Sequence, residues 1–207
     1  VSFFKTRGVR RAVMHGKVQH AQLFKNLRLD WKALSLWRRL KDRSGESLLR
    51  AVAGELAQNG TRLEDSRHWM EGILAPKGWI TRGQAGPEWK PSIDYDLRLA
   101  RRIARLNIGQ TLVVKKNAVV AVEAMEGTDE AILRAGKWAG AGTIAVKAAS
   151  PRQDWRFDVP TVGPKTLRAL ARAKARGIVL EAGKAFLLDR EKTVAEAEKN
   201  GIFILGA

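Results

Sequence analysis

From Thr111 to the end of the chain, strand-like and helix-like segments take turns, and this alternation constrains the fold more than any other feature. Thr111-Leu-Val-Val-Lys-Lys-Asn-Ala-Val-Val-Ala-Val-Glu123 reads as two β-branched strands in a hairpin with Lys116-Asn117 at the turn. Asp129–Ala139 has a helical pattern, Thr143–Lys147 is a short apolar strand, and Pro151–Pro164 is a loop. Thr166–Arg176 is expected as a helix that follows Pro164 and stops at Gly177. Ile178-Val-Leu-Glu and Ala185-Phe-Leu-Leu-Asp are expected strands, Arg190–Lys199 a helix capped by Asp189, and Ile202-Phe-Ile-Leu a closing strand. The class is therefore α/β, built as two α/β domains.

The first domain is expected over residues 1–75, incomplete and lacking its start. Val9–Met14 is a candidate strand, Leu34–Leu40 a short helix, and Ser47–Gln58 a clearer helix with Leu48, Leu49, Val52, Ala53 and Leu56 at helical spacing. Ser47 is a candidate cap for it and Gly60 lies just beyond its end. Residues 76–92 are punctuated by Pro76, Gly78, Gly83, Gly86, Pro87 and Pro91 and read as a linker. Residues 93–207 are expected to form the second domain, opening with a helix near Ile93–Leu106. The chain starts Val1-Ser-Phe-Phe rather than with methionine, which suggests a fragment.

Charge narrows the partners. Lys and Arg number 38 against 21 Asp and Glu, a net +17, so an anionic partner is expected. Residues 1–45 concentrate the excess, with Lys5, Arg7, Arg10, Arg11, Lys17, Lys25, Arg28, Lys32, Arg38, Arg39, Lys41 and Arg43 opposed only by Asp30 and Asp42. Nucleic acid, a phosphorylated substrate and an anionic membrane surface all fit such a charge. The chain has no cysteine, which excludes disulfides, thiolate zinc sites and cysteine nucleophiles. No apolar run approaches the roughly 20 residues that a membrane-spanning helix needs.

The acids are clustered where a general polyanion binder would gain nothing from them. Glu123-Ala-Met-Glu126-Gly127-Thr128-Asp129 lies where a strand gives way to a helix. Gly127 permits a sharp turn, Thr128 is a candidate cap, and the first-turn amides can bind an anion. An ordinary capped helix start has the same sequence. In Gln153–Pro164, an extended backbone would project Asp154, Arg156 and Asp158 to one side and Trp155 and Phe157 to the other. Two carboxylates around a guanidinium suit a phosphate and a hard cation, with the acids holding the ion or orienting water. A solvated loop with one local salt bridge is the plainer alternative. Lys147 ends an apolar strand, where α/β folds place functional groups and where lysines also snorkel. His15, His20 and His68 lack metal-ligand spacing. Of Trp31, Trp37, Trp69, Trp79, Trp89, Trp138 and Trp155, most are expected in the core, and a few beside basic residues suit a lipid interface.

No phosphate-binding P-loop, complete Gly-x-Gly-x-x-Gly fingerprint, Gly-x-Ser-x-Gly elbow or His-Glu-x-x-His motif is present. Zinc-finger, homeodomain and RNA-recognition signatures are also missing. Nucleic acid is thus disfavoured as a partner, although a basic nucleic-acid-binding protein and a non-catalytic lipid or nucleotide-sugar binder remain the alternatives to an enzyme.

Val122-Glu-Ala-Met-Glu-Gly-Thr-Asp129, Val146-Lys147-Ala148, Gln153-Asp-x-Arg-x-Asp-x-Pro-Thr-x-Gly-Pro164, Leu180-Glu-Ala-Gly183 and Leu188-Asp-Arg190 occur in unbroken order. Over residues 108–206 the chain resembles the LpxI family, the UDP-2,3-diacylglucosamine pyrophosphatases of lipid A biosynthesis. The likeness continues more loosely through Gly8–Val18 and Leu48–Val52. Family members carry a further N-terminal segment with a glycine-rich strand–loop that this chain lacks.

The resemblance implies a metal-dependent hydrolase with its substrate bound between two domains. Water attacks the α-phosphorus of UDP-2,3-diacylglucosamine, giving UMP and 2,3-diacylglucosamine 1-phosphate (lipid X). It implies Mg²⁺ or another divalent cation, and a cytoplasmic enzyme peripheral to the anionic inner-membrane surface of a Gram-negative bacterium. A homodimer is compatible with it. On this resemblance Asp158 is the first choice for the essential acid, as metal ligand or water-orienting base, followed by Asp154. Glu126 and Asp129 assist with the metal or the ribose, and Arg156 and Lys147 offset pyrophosphate charge. Thr128, Gly127, Thr161, Gly163 and Glu123 contact or shape the substrate site.

Overall fold

The computed structural model describes residues 1–15, 45–83 and 90–207, together with residues 31, 35, 38 and 40. Four of the seven residues of the helix expected over Leu34–Leu40, at 34, 36, 37 and 39, lie outside the described residues. So do Lys17, Lys25, Arg28, Lys32, Arg39, Lys41, Arg43, His20, Trp37 and Trp89. The chain divides into two compact units: residues 1–69 with 154–158, and residues 70–153 with 159–207.

The first unit contains α1 (Ser2–Thr6), β1 (Arg11–Ala12), α2 (Gly45–Gln58) and β2 (Arg62–Leu63). β1 and β2 pair in parallel, with Arg11 opposite Arg62 and Ala12 opposite Leu63. The strand expected over Val9–Met14 is thus two residues long, because its partner offers only two. α2 buries Ala53 and Leu56 against Leu63, and Phe4, Ala12, Met14, Val52 and Phe157 pack around them. Ser47 falls inside the helix rather than at its cap. The chain turns out beyond its end through Gly60, whose φ of +86° a side chain would resist.

The second unit runs β3 (Gly78–Trp79), α3 (Lys90–Arg105), β4 (Thr111–Lys115), β5 (Ala118–Val122), α4 (Thr128–Ala139), β6 (Ile144–Lys147), β7 (Thr161–Val162), α5 (Pro164–Arg172), β8 (Gly177–Leu180), β9 (Phe186–Leu187), α6 (Arg190–Lys199) and β10 (Phe203–Gly206). Six strands form one mixed sheet in the order β3-β10-β8-β6-β4-β5. Its centre, β10-β8-β6, is parallel, while β3, β4 and β5 are antiparallel to their neighbours. β7 and β9 make a small parallel pair.

Both sheet faces are covered. Ile132 of α4, Leu167 and Leu170 of α5 and Ala197 of α6 pack on the face bearing Val113, Ala145, Ile178, Leu180 and Ile204. Ile93, Leu97 and Ala100 of α3 pack on the face bearing Leu112, Val114, Ile144, Val146, Val179 and Phe203. Double coverage explains why β6 and β8 read as continuous apolar runs rather than alternating ones.

The β4–β5 hairpin turns at Lys116 and Asn117, both with positive φ (50° and 63°), as a two-residue primed turn requires. Three local expectations are corrected. Gly127, not Thr128, is the N-cap of α4. Asp189 stands at the N-cap of α6 in a left-handed conformation and its side chain makes no capping bond. α5 begins at Pro164 and ends at Arg172, earlier than Arg176, because the chain turns left-handed at Lys174, whose carbonyl accepts the Gly142 amide. Within residues 76–92, Gly78–Trp79 form an edge strand and Pro91 lies in the first turn of α3, where its missing N–H costs little.

Candidate active site

In the second unit Lys147, Glu123 and Thr128, of the expected site residues, gather at the carboxyl end of β6, the edge where open α/β sheets bind ligands. Lys147 is the last residue of β6 and pairs in register with Thr111, the first of β4. Its side chain is only 5% exposed. Nζ donates to Thr111 Oγ1 at 3.0 Å and to Thr128 Oγ1 at 2.8 Å, and lies 3.6 Å from Glu123 Oε2. Thr128 Oγ1 donates to Glu123 Oε1 at 2.9 Å. Burial pushes the Glu123 carboxyl up, but the Lys147 charge and the threonine hydroxyls outweigh it and hold the group below its ordinary range. Glu123 Oε2 makes no hydrogen bond among the described residues, so the ammonium is its one charge partner there.

The four side chains make a near-neutral buried knot at the start of α4. Gly127, with φ of +85°, turns the chain into the helix, and Thr128 spends its hydroxyl on the knot rather than on a cap. Lys147 is therefore not a bare cation. It fixes Thr128 and Glu123 at the first turn of α4, whose open amides face any anion there.

Glu126 and Asp129 flank that turn. Glu126 pairs with Arg134 and accepts the Ala124 amide. Asp129 accepts a bond from Thr166 at 3.1 Å and lies 3.2 Å from Lys165 Nζ. Thr161 is exposed on β7, with its hydroxyl on the Val159 carbonyl. Gly163 is the N-cap of α5 in ordinary extended conformation, and a Cβ there would meet Leu188 at 3.3 Å.

Sequence reasoning missed Glu181. It follows β8 at the same carboxyl edge, is 2% exposed, and bonds Arg101, Lys184 and the Ala149 amide. An acid directly after an apolar strand was the available signal, and the strand assignment absorbed it.

The segment Asp154–Asp158 belongs to the first unit. It is not extended: the amides of Phe157 and Asp158 both bond the Asp154 carbonyl, closing a turn. The expected split of acids to one side and aromatics to the other is therefore corrected. A local ion pair drives the turn, with Arg156 Nε and Nη2 donating to the two Asp154 oxygens at 2.8 and 2.7 Å. Arg156 holds the Asp154 carboxyl below its ordinary range against the upward push of burial. Arg50 Nε lies 3.8 Å from the same carboxylate. Trp155 carries the Arg67 guanidinium 3.7 Å above its ring, and its carbonyl accepts bonds from Ser66. Asp158 is exposed. Of the tryptophans expected to be core, Trp69 and Trp138 are exposed, at 61% and 77%, as is Trp31.

Among the described residues, no three histidine, aspartate or glutamate side chains come together to hold a metal ion. Asp154, Glu126 and Asp129 are each committed to a cation. These residues do not build a closed protein cage for Mg²⁺. No described helix is long and apolar enough to cross a membrane.

The family described as LpxI C-terminal domain matches residues 76–205, and that described as LpxI N-terminal domain matches residues 1–73. A Caulobacter vibrioides protein named UDP-2,3-diacylglucosamine pyrophosphatase LpxI is 39% identical over 170 residues, covering 78% of this chain and 60% of its own length. The chain thus spans less than two thirds of that relative. A solved structure of Acinetobacter baumannii RibD aligns at a TM-score of 0.33 and 17% identity, over 56% of this chain and 35% of its own, a likeness too slight to carry an argument. The two domain matches together cover nearly the whole sequence in one order, and the chain belongs to the LpxI family.

Proposed function

We propose that the protein hydrolyses the pyrophosphate of UDP-2,3-diacylglucosamine by attack of water on the α-phosphorus, releasing UMP and 2,3-diacylglucosamine 1-phosphate. The observation that carries this reading is the 39% identity to the Caulobacter vibrioides pyrophosphatase. The site chemistry supports it: a helix start with open amides suits phosphate, and the described residues include no cysteine nucleophile.

Each residue then has a task. Asp158, exposed, orients the attacking water and accepts its proton. Asp154 holds Arg156 by two bonds, so its role is to fix that guanidinium, which offsets charge on the pyrophosphate. Thr128 and the first-turn amides of α4 hold a phosphate oxygen. Lys147 and Glu123 act through Thr128, which both of them bond. Mg²⁺ supplies charge neutralisation at the pyrophosphate when bound. Magnesium is commonly held by one or two carboxylates plus substrate phosphates, so a three-acid cage is not required. The basic first unit, with Arg7 over Phe3 and Arg11 near Trp69, fits a cytoplasmic enzyme resting on an anionic inner membrane.

The test is product analysis with and without Mg²⁺. Metal-dependent appearance of UMP and 2,3-diacylglucosamine 1-phosphate in equal amounts supports the reading. Turnover unaffected by a chelator removes the metal, and no turnover by folded protein removes the activity.

A further inference from the structure

We propose that Arg101 and Lys184, held by the buried carboxylate of Glu181, form a binding subsite for pyrophosphate oxygens at the carboxyl edge of the sheet; this rests on the hydrolase reading for the identity of its ligand. Glu181 Oε2 accepts the Ala149 amide at 3.0 Å. Oε1 accepts both Arg101 Nε at 2.9 Å and Lys184 Nζ at 2.8 Å. The carboxylate is 3% exposed, whereas its two cations are 43% and 49% exposed.

One cation would balance the charge of a buried carboxylate. A second cation on the same oxygen leaves the cluster with a net positive charge, and two like charges crowd each other at the surface. An anion bridging them relieves that repulsion. Arg101 bonds Glu181 through Nε, which leaves its two Nη groups as a fork of the kind that matches phosphate oxygens. Lys184 keeps two further N–H donors.

Placement supports the same conclusion. Arg101 comes from α3 and Lys184 from the turn after β8, so helix and sheet together aim the pair. The Glu181 amide bonds the Lys147 carbonyl at 3.0 Å, which puts the cluster beside the strand end that carries Lys147. Glu181 itself is a positioning residue. Holding β8 against the exit of β6 needs only its Ala149 bond, and balancing the buried charge needs only one cation, which leaves the second half-exposed cation without a structural task.

Calorimetric titration of the protein with UDP tests the subsite without turnover. Arg101→Gln and Lys184→Gln are each expected to raise the Kd about tenfold, the loss of one charged hydrogen bond. Arg101→Lys should recover only part of this, and the neighbouring Arg105→Gln should leave the Kd unchanged. Thermal midpoints of these surface variants should match the parent. Phosphatidylglycerol vesicles serve as the second probe. Vesicle affinity that falls while UDP affinity holds would assign the cations to a lipid headgroup and overturn the proposal. UMP release with unchanged KM and UDP Kd in the double variant would overturn the subsite and leave the hydrolase reading standing. Weaker UDP binding in a protein that releases no UMP would keep the subsite and sink the hydrolase reading.

Discussion

Replacing Lys147 by methionine should destabilise the second unit by about 3–5 kcal/mol at pH 7, because it strands a buried carboxylate. The figure follows from the geometry. Glu123 is 13% exposed, its Oε2 has no hydrogen bond among the described residues, and Lys147 at 3.6 Å is its charge partner. Methionine fills nearly the same volume, so cavity formation adds little. The effect has a defined pH dependence. In the parent the folded-state pKa of Glu123 is depressed, so its contribution is present above the unfolded carboxylate range and is lost as pH falls through the folded pKa. In Lys147→Met the lowering effect of the ammonium is gone and only the threonine hydroxyls oppose burial, so that pKa rises and lowering the pH relieves the variant while it weakens the parent. The gap between them should narrow below about pH 5. Adding Glu123→Gln to Lys147→Met should recover much of the loss at pH 7. Urea unfolding followed by far-UV circular dichroism across pH 4–8 measures all of this. A loss below about 1 kcal/mol at pH 7, the value of an exposed pair, or a gap independent of pH, would refute the buried-knot argument.

Other consequences are as direct. Asp96, 3% exposed on the sheet-facing side of α3, has its carboxyl pushed up to about 6 by burial, with Oδ1 unbonded among the described residues. Its folded pKa is raised, so stability should fall as pH rises from about 4 to 6 through this group, and Asp96→Leu should remove that slope and stabilise the protein at pH 7 by on the order of 1–3 kcal/mol in the same urea assay. Gly109→Ala should cost about 1–3 kcal/mol, because a Cβ there runs into the Glu123 carbonyl; an unchanged unfolding midpoint would contradict that packing. Asp158→Ala should lower kcat at least a hundredfold while leaving UDP affinity within about twofold, and near-normal turnover would remove Asp158 from its assigned role.

The sequence made the second unit's topology readable where local and tertiary preferences agree. Lys116 and Asn117 tolerate left-handed backbone, and the hairpin forms there. Apolar runs at β6 and β8 mark strands covered on both faces. Where a neighbour decides, the pattern misled. Thr128 looks like a cap, but Glu123 at the end of the preceding hairpin and Lys147 on β6 recruit its hydroxyl. Asp154 and Arg156 look like one face of an extended segment, yet their mutual attraction folds the loop into a turn. Glu181 gave no periodic signal, because its importance lies in partners from α3 and the β6 exit. The site was legible as residue types and hidden as geometry.

The most direct measurement is hydrolysis of UDP-2,3-diacylglucosamine in ¹⁸O-water, with mass analysis of both products. The account predicts metal-dependent turnover with the label in UMP and none in 2,3-diacylglucosamine 1-phosphate. Label in the lipid product, or no turnover by folded protein, would contradict it.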